Sequence, residues 1–145
     1  MDTQVLIVCR ANICRSPMAE VVLRHRAARL RRRIEVASAG IEAPPGLMAD
    51  PVCQDLMLDR GLSLAAHRST RFSRGAAQRF DLILVMEQQQ QELLRHRAPW
   101  LAGRVHCLGR WTTGDIADPY GGPQPLYENC LNHIEESLNA WLKRL

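Results

Sequence analysis

Along the chain, short stretches that are apolar at every position alternate with longer ones in which apolar residues return every third or fourth position. Val5-Leu6-Ile7-Val8 is of the first kind: wholly apolar, rich in β-branched side chains and halted at Cys9. Such a run suits a strand covered on both faces, as in a parallel sheet. Ile34 to Ala37, Leu82 to Met86 and Val105 to Leu108 read the same way. The helical period lies between them. Ser16-Pro17 opens a helix carrying Met18, Val21, Val22, Ala28 and Leu30, which runs into Arg29, Arg31, Arg32 and Arg33. Asp50-Pro51 opens a second that reaches about Arg60, with Gly61 as its stop. In each pair the first residue is predicted as N-cap and the proline as first helical residue, where a missing N–H is harmless. A short helix is expected over 73–79 and a longer one over 87–97, ended by Pro99-Trp100. From Leu126 to Leu145, Tyr127, Cys130, Leu131, Ile134, Leu138, Trp141, Leu142 and Leu145 form one apolar helical face.

Strands alternating with helices predict an α/β fold: a single domain with a four-stranded parallel sheet, order 2-1-3-4, and helices on both faces. In such sheets ligands bind at the carboxyl ends of the strands. Cys9, Ser38, Glu87 and Gly109 all fall at those ends, and Gly109 begins a long loop with four Gly and three Pro that runs to Pro125.

Composition narrows the class. At 145 residues, 46% hydrophobic and 23% charged, the chain suits one soluble domain. No apolar run approaches the ~18 residues of a membrane span, and the opening residues do not form a signal peptide, so a cytoplasmic protein without membrane insertion is expected. Five cysteines at irregular spacing are not a disulfide framework; Cys53, Cys107 and Cys130 are expected to pack as small hydrophobes. Cys9 and Cys14 have no second pair at zinc spacing, so neither a metal nor a cofactor is expected. Of the 19 basic residues 18 are Arg, eight of them before Glu35, yet few aromatics interleave with them. That pattern fits a solvated helix end better than a nucleic-acid surface.

The chemistry concentrates in Cys9-Arg10-Ala11-Asn12-Ile13-Cys14-Arg15-Ser16. Strand, tight loop and helix N-terminus follow one another here, so backbone N–H groups converge where a helix dipole favours an anion. A thiol at such a mouth ionises more readily than a free cysteine. The planar fork of Arg15 matches two phosphate oxygens, and the Ser16 hydroxyl can hydrogen-bond a departing sulfur. Together they suit nucleophilic displacement on phosphorus without a metal. Asn12 is expected at positive φ, which Asn tolerates. A proton donor for the leaving group would come from Asp115 or Asp118 in the long loop, between which composition and spacing do not choose.

This loop and its context resemble the low-molecular-weight protein tyrosine phosphatases, over essentially all of residues 1–145 as one domain. The resemblance implies Cys9 as nucleophile, Arg15 as phosphate clamp, Ser16 as thiolate partner and Asp118, in Asp118-Pro119-Tyr120, as the acid. It implies substrate contacts from Arg10, Ala11, Asn12, Ile13 and Cys14, and walls from Tyr120 and the Pro44 loop. Ser38 and His67 match positions that brace the loop asparagine, and Cys14 matches a thiol that can trap oxidised Cys9 as a disulfide. Ala11 departs from a usual Gly, and Arg10, at a rim position more often small or aliphatic, could add attraction for acidic peptide. Arsenate reductases of this fold need a further close Cys pair in sequence, arginine phosphatases carry Thr where this chain has Ile13, and a mere phosphate-binding module would lack the nucleophile or acid. The bacterial branch of the family implies a phosphotyrosine-bearing partner such as a tyrosine autokinase governing capsule or exopolysaccharide export, with a monomer expected.

Overall fold

In the computed structural model, which describes residues 2–145, strands β1 (Thr3–Cys9), β2 (Ile34–Gly40), β3 (Leu82–Val85) and β4 (Val105–Cys107) form one sheet. Met1, the first residue of the expected domain, lies outside the described residues. All pairings are parallel and the order is β2-β1-β3-β4, as the alternation of elements predicts. The register sets Cys9 beside Gly40 and Val8 beside Val85, so loops leaving three strands emerge at one edge.

Strand periodicity divides the core into two layers. Val5, Ile7, Cys9, Leu82 and Leu84 pack against α1 (Arg15–Arg29), α2 (Pro51–Asp59) and α5 (Gln124–Leu142). Leu6, Val8, Ile83 and Val85 pack on the other side against Phe80, Leu94 and Leu101, with α3 (Arg74–Ala77) and α4 (Gln88–Arg97). The apolar face read for the last helix is buried from Tyr127 to Leu142. The face of α1 is Met18, Ala19, Val22, Leu23 and Ala27, whereas Ala28 and Leu30 are exposed. In the arginine run Arg29, Arg31 and Arg33 are exposed, as a solvated helix end requires, and Arg32 is half-buried. Arg26 ion-pairs with Glu135 at 2.7 Å, and Arg32 donates to the Leu142 carbonyl at 3.2 Å, strapping α1 to α5.

Two helix starts contrast. Asp50 caps α2 as expected, its Oδ1 accepting from the Val52 N–H at 2.8 Å with Pro51 at N1. In α1, however, Arg15 is the first helical residue, Cys14 takes the N-cap place, and Ser16 is not the cap. The Ser16 hydroxyl is held by side chains of the loop instead. Pro17 then sits third in the helix, still within the turn whose N–H groups have no intrahelical partner.

Candidate active site

The peptide planes of the loop after β1 are oriented from behind. The carbonyl of Cys9 accepts from Ile41 N–H at 3.0 Å, that of Arg10 from Glu42 N–H at 2.8 Å, and that of Ile13 from Asp50 N–H at 2.8 Å. The Asn12 carbonyl accepts from His67 Nε2 at 2.7 Å, and the Cys14 carbonyl from Met18 N–H at 3.2 Å. In a trans peptide the N–H points opposite to the C=O. Five outward carbonyls therefore turn the N–H groups of Arg10, Ala11, Ile13, Cys14 and Arg15 inward. No acidic residue or side-chain cap occupies the first turn of α1, so its positive end is left for an anion.

Cys9 Sγ lies at the floor, 2.9 Å from Ser16 Oγ and accepting the Asn12 N–H at 3.3 Å. Asn12 itself lies behind the loop, fully buried at φ 57°. Its Nδ2 donates to Ser16 Oγ at 2.8 Å and Ser38 Oγ at 2.9 Å, and its Oδ1 accepts from Thr70 N–H at 2.8 Å. Ser38 is a residue of β2, which runs three positions further than its apolar run, and it in turn donates to Glu20. Gly40 at the strand's end lets this loop approach. A Cβ there would meet Arg10 O, Asn12 N and Ala43 Cβ, each at 2.8 Å.

Arg15 is only 2% exposed. Its Nη1 donates to Glu87 Oε1 and to the Ile116 carbonyl, both at 2.8 Å, and its Nη2 lies 3.6 Å from Asp118 Oδ2. Burial opposes the charge, but the Glu87 carboxylate, with Cys9 and Asp118, outweighs it and raises Arg15 above its ordinary value. Asp118 is partly exposed, its Oδ1 accepting the Tyr120 N–H at 3.1 Å. Asp115 points elsewhere and accepts the Gln88 N–H at 2.9 Å at the start of α4.

Cys9, Arg15 and Asp118 meet in a cavity of about 270 Å³ whose rim includes Arg10, Ile13, Pro44, Leu47 and Tyr120. Ala11 and Cys14 line it as well, whereas Asn12, Ser38 and His67 stand behind it. Sequence reasoning missed Glu87 as the partner of Arg15; its place at the end of β3, on the sheet edge of Cys9, was the available signal. It also missed a buried clamp. Tyr127 OH donates to Asp50 Oδ2 at 2.8 Å and accepts the Gly121 N–H at 3.3 Å, joining the Cys9 loop, through Asp50, to the loop that carries Asp118. Cys53, read as packing, places its Sγ 3.0 Å from that of Cys14.

A family model described as low molecular weight phosphotyrosine protein phosphatase matches residues 4–145. The chain is 38% identical over 145 residues to the probable low molecular weight protein-tyrosine-phosphatase EpsP of Ralstonia nicotianae, covering 100% of this chain and 97% of that one. Among solved structures, Vibrio vulnificus Wzb in complex with benzylphosphonate superposes with a TM-score of 0.92 at 33% identity, covering 100% of both chains. The YwlE arginine phosphatase from Geobacillus stearothermophilus superposes with a TM-score of 0.90 at 29% identity, covering 98% of this chain and 92% of that one.

Proposed function

The chain belongs to the low molecular weight phosphotyrosine protein phosphatase family, and on that premise we propose that the cavity at Cys9 is where it hydrolyses phosphotyrosine through a phospho-cysteine intermediate. It is a protein-tyrosine phosphatase. In the first step Cys9 Sγ attacks phosphorus and the tyrosine oxygen departs. Asp118, on the rim beside Arg15, gives that oxygen its proton. The inward N–H groups and the Arg15 fork hold the equatorial oxygens, where charge changes most. In the second step the Asp118 carboxylate takes a proton from water as it attacks the phospho-cysteine. The Ser16 hydroxyl, 2.9 Å from the sulfur, then stabilises the departing thiolate.

What carries this reading is the outward tethering of five loop carbonyls around one sulfur, because it builds an oxyanion cradle before any substrate arrives. Tyrosine rather than arginine fits the rim. Ile13, Pro44, Leu47 and Tyr120 offer apolar walls to a flat ring, while the nucleophile lies below them. A phosphoserine side chain is too short to span that depth. The physiological partner we assign is a phosphotyrosine-bearing bacterial protein, such as a tyrosine autokinase or another polysaccharide-export protein, met in the cytoplasm by a monomer. Among the described residues no helix is long and apolar enough to cross a membrane.

The test is phosphate release from one phosphotyrosine peptide in EDTA. Wild type is expected to be active, Cys9→Ser inactive, and Asp118→Asn slower by about 10²–10⁴-fold. Activity persisting in Cys9→Ser would overturn the assignment of the nucleophile. Equal rates on phosphoserine and phosphotyrosine versions of the peptide would overturn the depth argument.

A further inference from the structure

Outside the phosphoryl-transfer groups, the most unusual juxtaposition in the fold is a pair of buried thiols. Asp50 ties the start of α2 to the active-site loop through the Ile13 carbonyl, and the first turn of α2 thereby sets Cys53 Sγ 3.0 Å from Cys14 Sγ. The two sulfurs come from residues 39 apart in the chain. Cys14 lines the cavity that holds Cys9, whereas Cys53 is 0% exposed. From the cavity, oxidation therefore meets Cys14 before Cys53.

We propose that Cys14 and Cys53 form a disulfide that receives oxidation from Cys9 and returns the nucleophile to its thiolate. The inference rests on the reading of Cys9 as the reactive thiolate. With hydrogen peroxide as oxidant, the Cys9 thiolate attacks one peroxide oxygen, giving a sulfenic acid and hydroxide. The Cys14 thiol then attacks the Cys9 sulfur, forming a Cys9–Cys14 bond and releasing water. The Cys53 sulfur attacks Cys14, the new bond closes between them, and Cys9 leaves as thiolate. The Cys53 proton neutralises the hydroxide. In sum, two thiols and one peroxide give one disulfide and two waters.

Geometry favours this end point. A disulfide needs sulfurs at about 2.05 Å, so closure between Cys14 and Cys53 requires a movement of about 1 Å. The hydrogen bond to Cys53, and then burial, hold Cys14 protonated well above the usual thiol range. Peroxide attack consequently begins at Cys9 and not at Cys14. The anion cradle uses the backbone of Cys14, not its sulfur, so the bridged enzyme keeps its phosphate site.

The experiment compares wild type, Cys53→Ser and Cys53→Ala. Phosphate release is measured before peroxide treatment. After treatment the protein is denatured in acid with an alkylating agent and its cysteine peptides are mapped. In wild type the expected result is a 14–53 bridge, alkylated Cys9 and activity that returns without added reductant. Both variants should keep untreated activity, accumulate a 9–14 bridge after peroxide and recover only with dithiothreitol. Wild type in which Cys53 is alkylated while Cys9 is bridged or over-oxidised overturns the proposal, as does equal inactivation of wild type and both variants. An untreated enzyme that releases no phosphate counts against the phosphatase role of Cys9, and the wild-type map then judges the bridge by itself.

Discussion

Replacing Asn12 by alanine tests whether the loop is braced from behind. The substitution deletes three side-chain hydrogen bonds, to Ser16, Ser38 and the Thr70 N–H, at 2.8, 2.9 and 2.8 Å. At a net value of roughly 1 kcal/mol each, their loss amounts to about 3 kcal/mol. Alanine must also hold φ near 57°, which asparagine tolerates better, adding about 1 kcal/mol. Asn12→Ala should therefore cost about 4 kcal/mol, a large share of the ~5–15 kcal/mol typical of a domain. Ser38→Ala removes only one of these bonds, together with its own bond to Glu20. In the double mutant the Asn12–Ser38 bond is already gone, so a cycle should give a coupling of about 1 kcal/mol. Urea unfolding of the four proteins measures both quantities, with equal m-values required for the comparison. kcat/KM should fall in Asn12→Ala, because the Asn12 N–H and Ser16 Oγ position the Cys9 sulfur. A cost below about 1 kcal/mol, or full additivity with Ser38→Ala, would refute the brace.

Other consequences follow from the same geometry. Glu87→Gln removes the carboxylate that holds Arg15, leaving Ile116 O and Asp118. A loss of about 2 kcal/mol in kcat/KM is expected, shown by a higher KM for phosphotyrosine peptide and a higher Ki for competing phosphate; unchanged phosphate affinity would refute the holding role. Gly40→Ala puts a Cβ 2.8 Å from backbone atoms of Arg10 and Asn12, which cannot rotate away. It should lower stability by about 1–3 kcal/mol and disturb the cradle, as thermal melts and phosphate binding would report. Burial first, then the hydrogen bond to Asp50, raises the Tyr127 hydroxyl above its ordinary value. A group with its folded pKa raised stabilises fully below its unfolded pKa, near ~10, and loses that contribution as pH rises further. Wild type should thus lose stability above about pH 10 more steeply than Tyr127→Phe; parallel pH–stability curves would argue against the Asp50–Tyr127 clamp.

The order of elements was legible in the chain because strand and helix periods are local properties. A β-branched run, a capping Asp50-Pro51 and the apolar face from Tyr127 to Leu142 each report their surroundings from a few neighbouring residues. Local rules also led to one wrong register. Ser16 before Pro17 has the form of an N-cap, but the serine hydroxyl is drawn to Cys9 and Asn12, and the helix begins two residues earlier, at Arg15 with Cys14 as N-cap. Ala28 and Leu30 were likewise read as apolar positions of α1, yet they lie in its last turn and beyond it, where the core no longer covers the helix.

The sequence by itself determined the loop that carries Cys9 and Arg15, because thiol, guanidinium and helix start lie within eight consecutive residues and need no long-range contact to be read. It also determined the sheet order, since right-handed crossovers leave few alternatives. Only the tertiary structure decided which groups stand around that loop. Glu87 reaches Arg15 across 72 positions, Asp50 meets Tyr127 across 77, and Cys53 meets Cys14 across 39. No periodicity encodes such pairs. They exist because parallel strands deliver their following loops to the same edge of the sheet, so distant segments share one small volume.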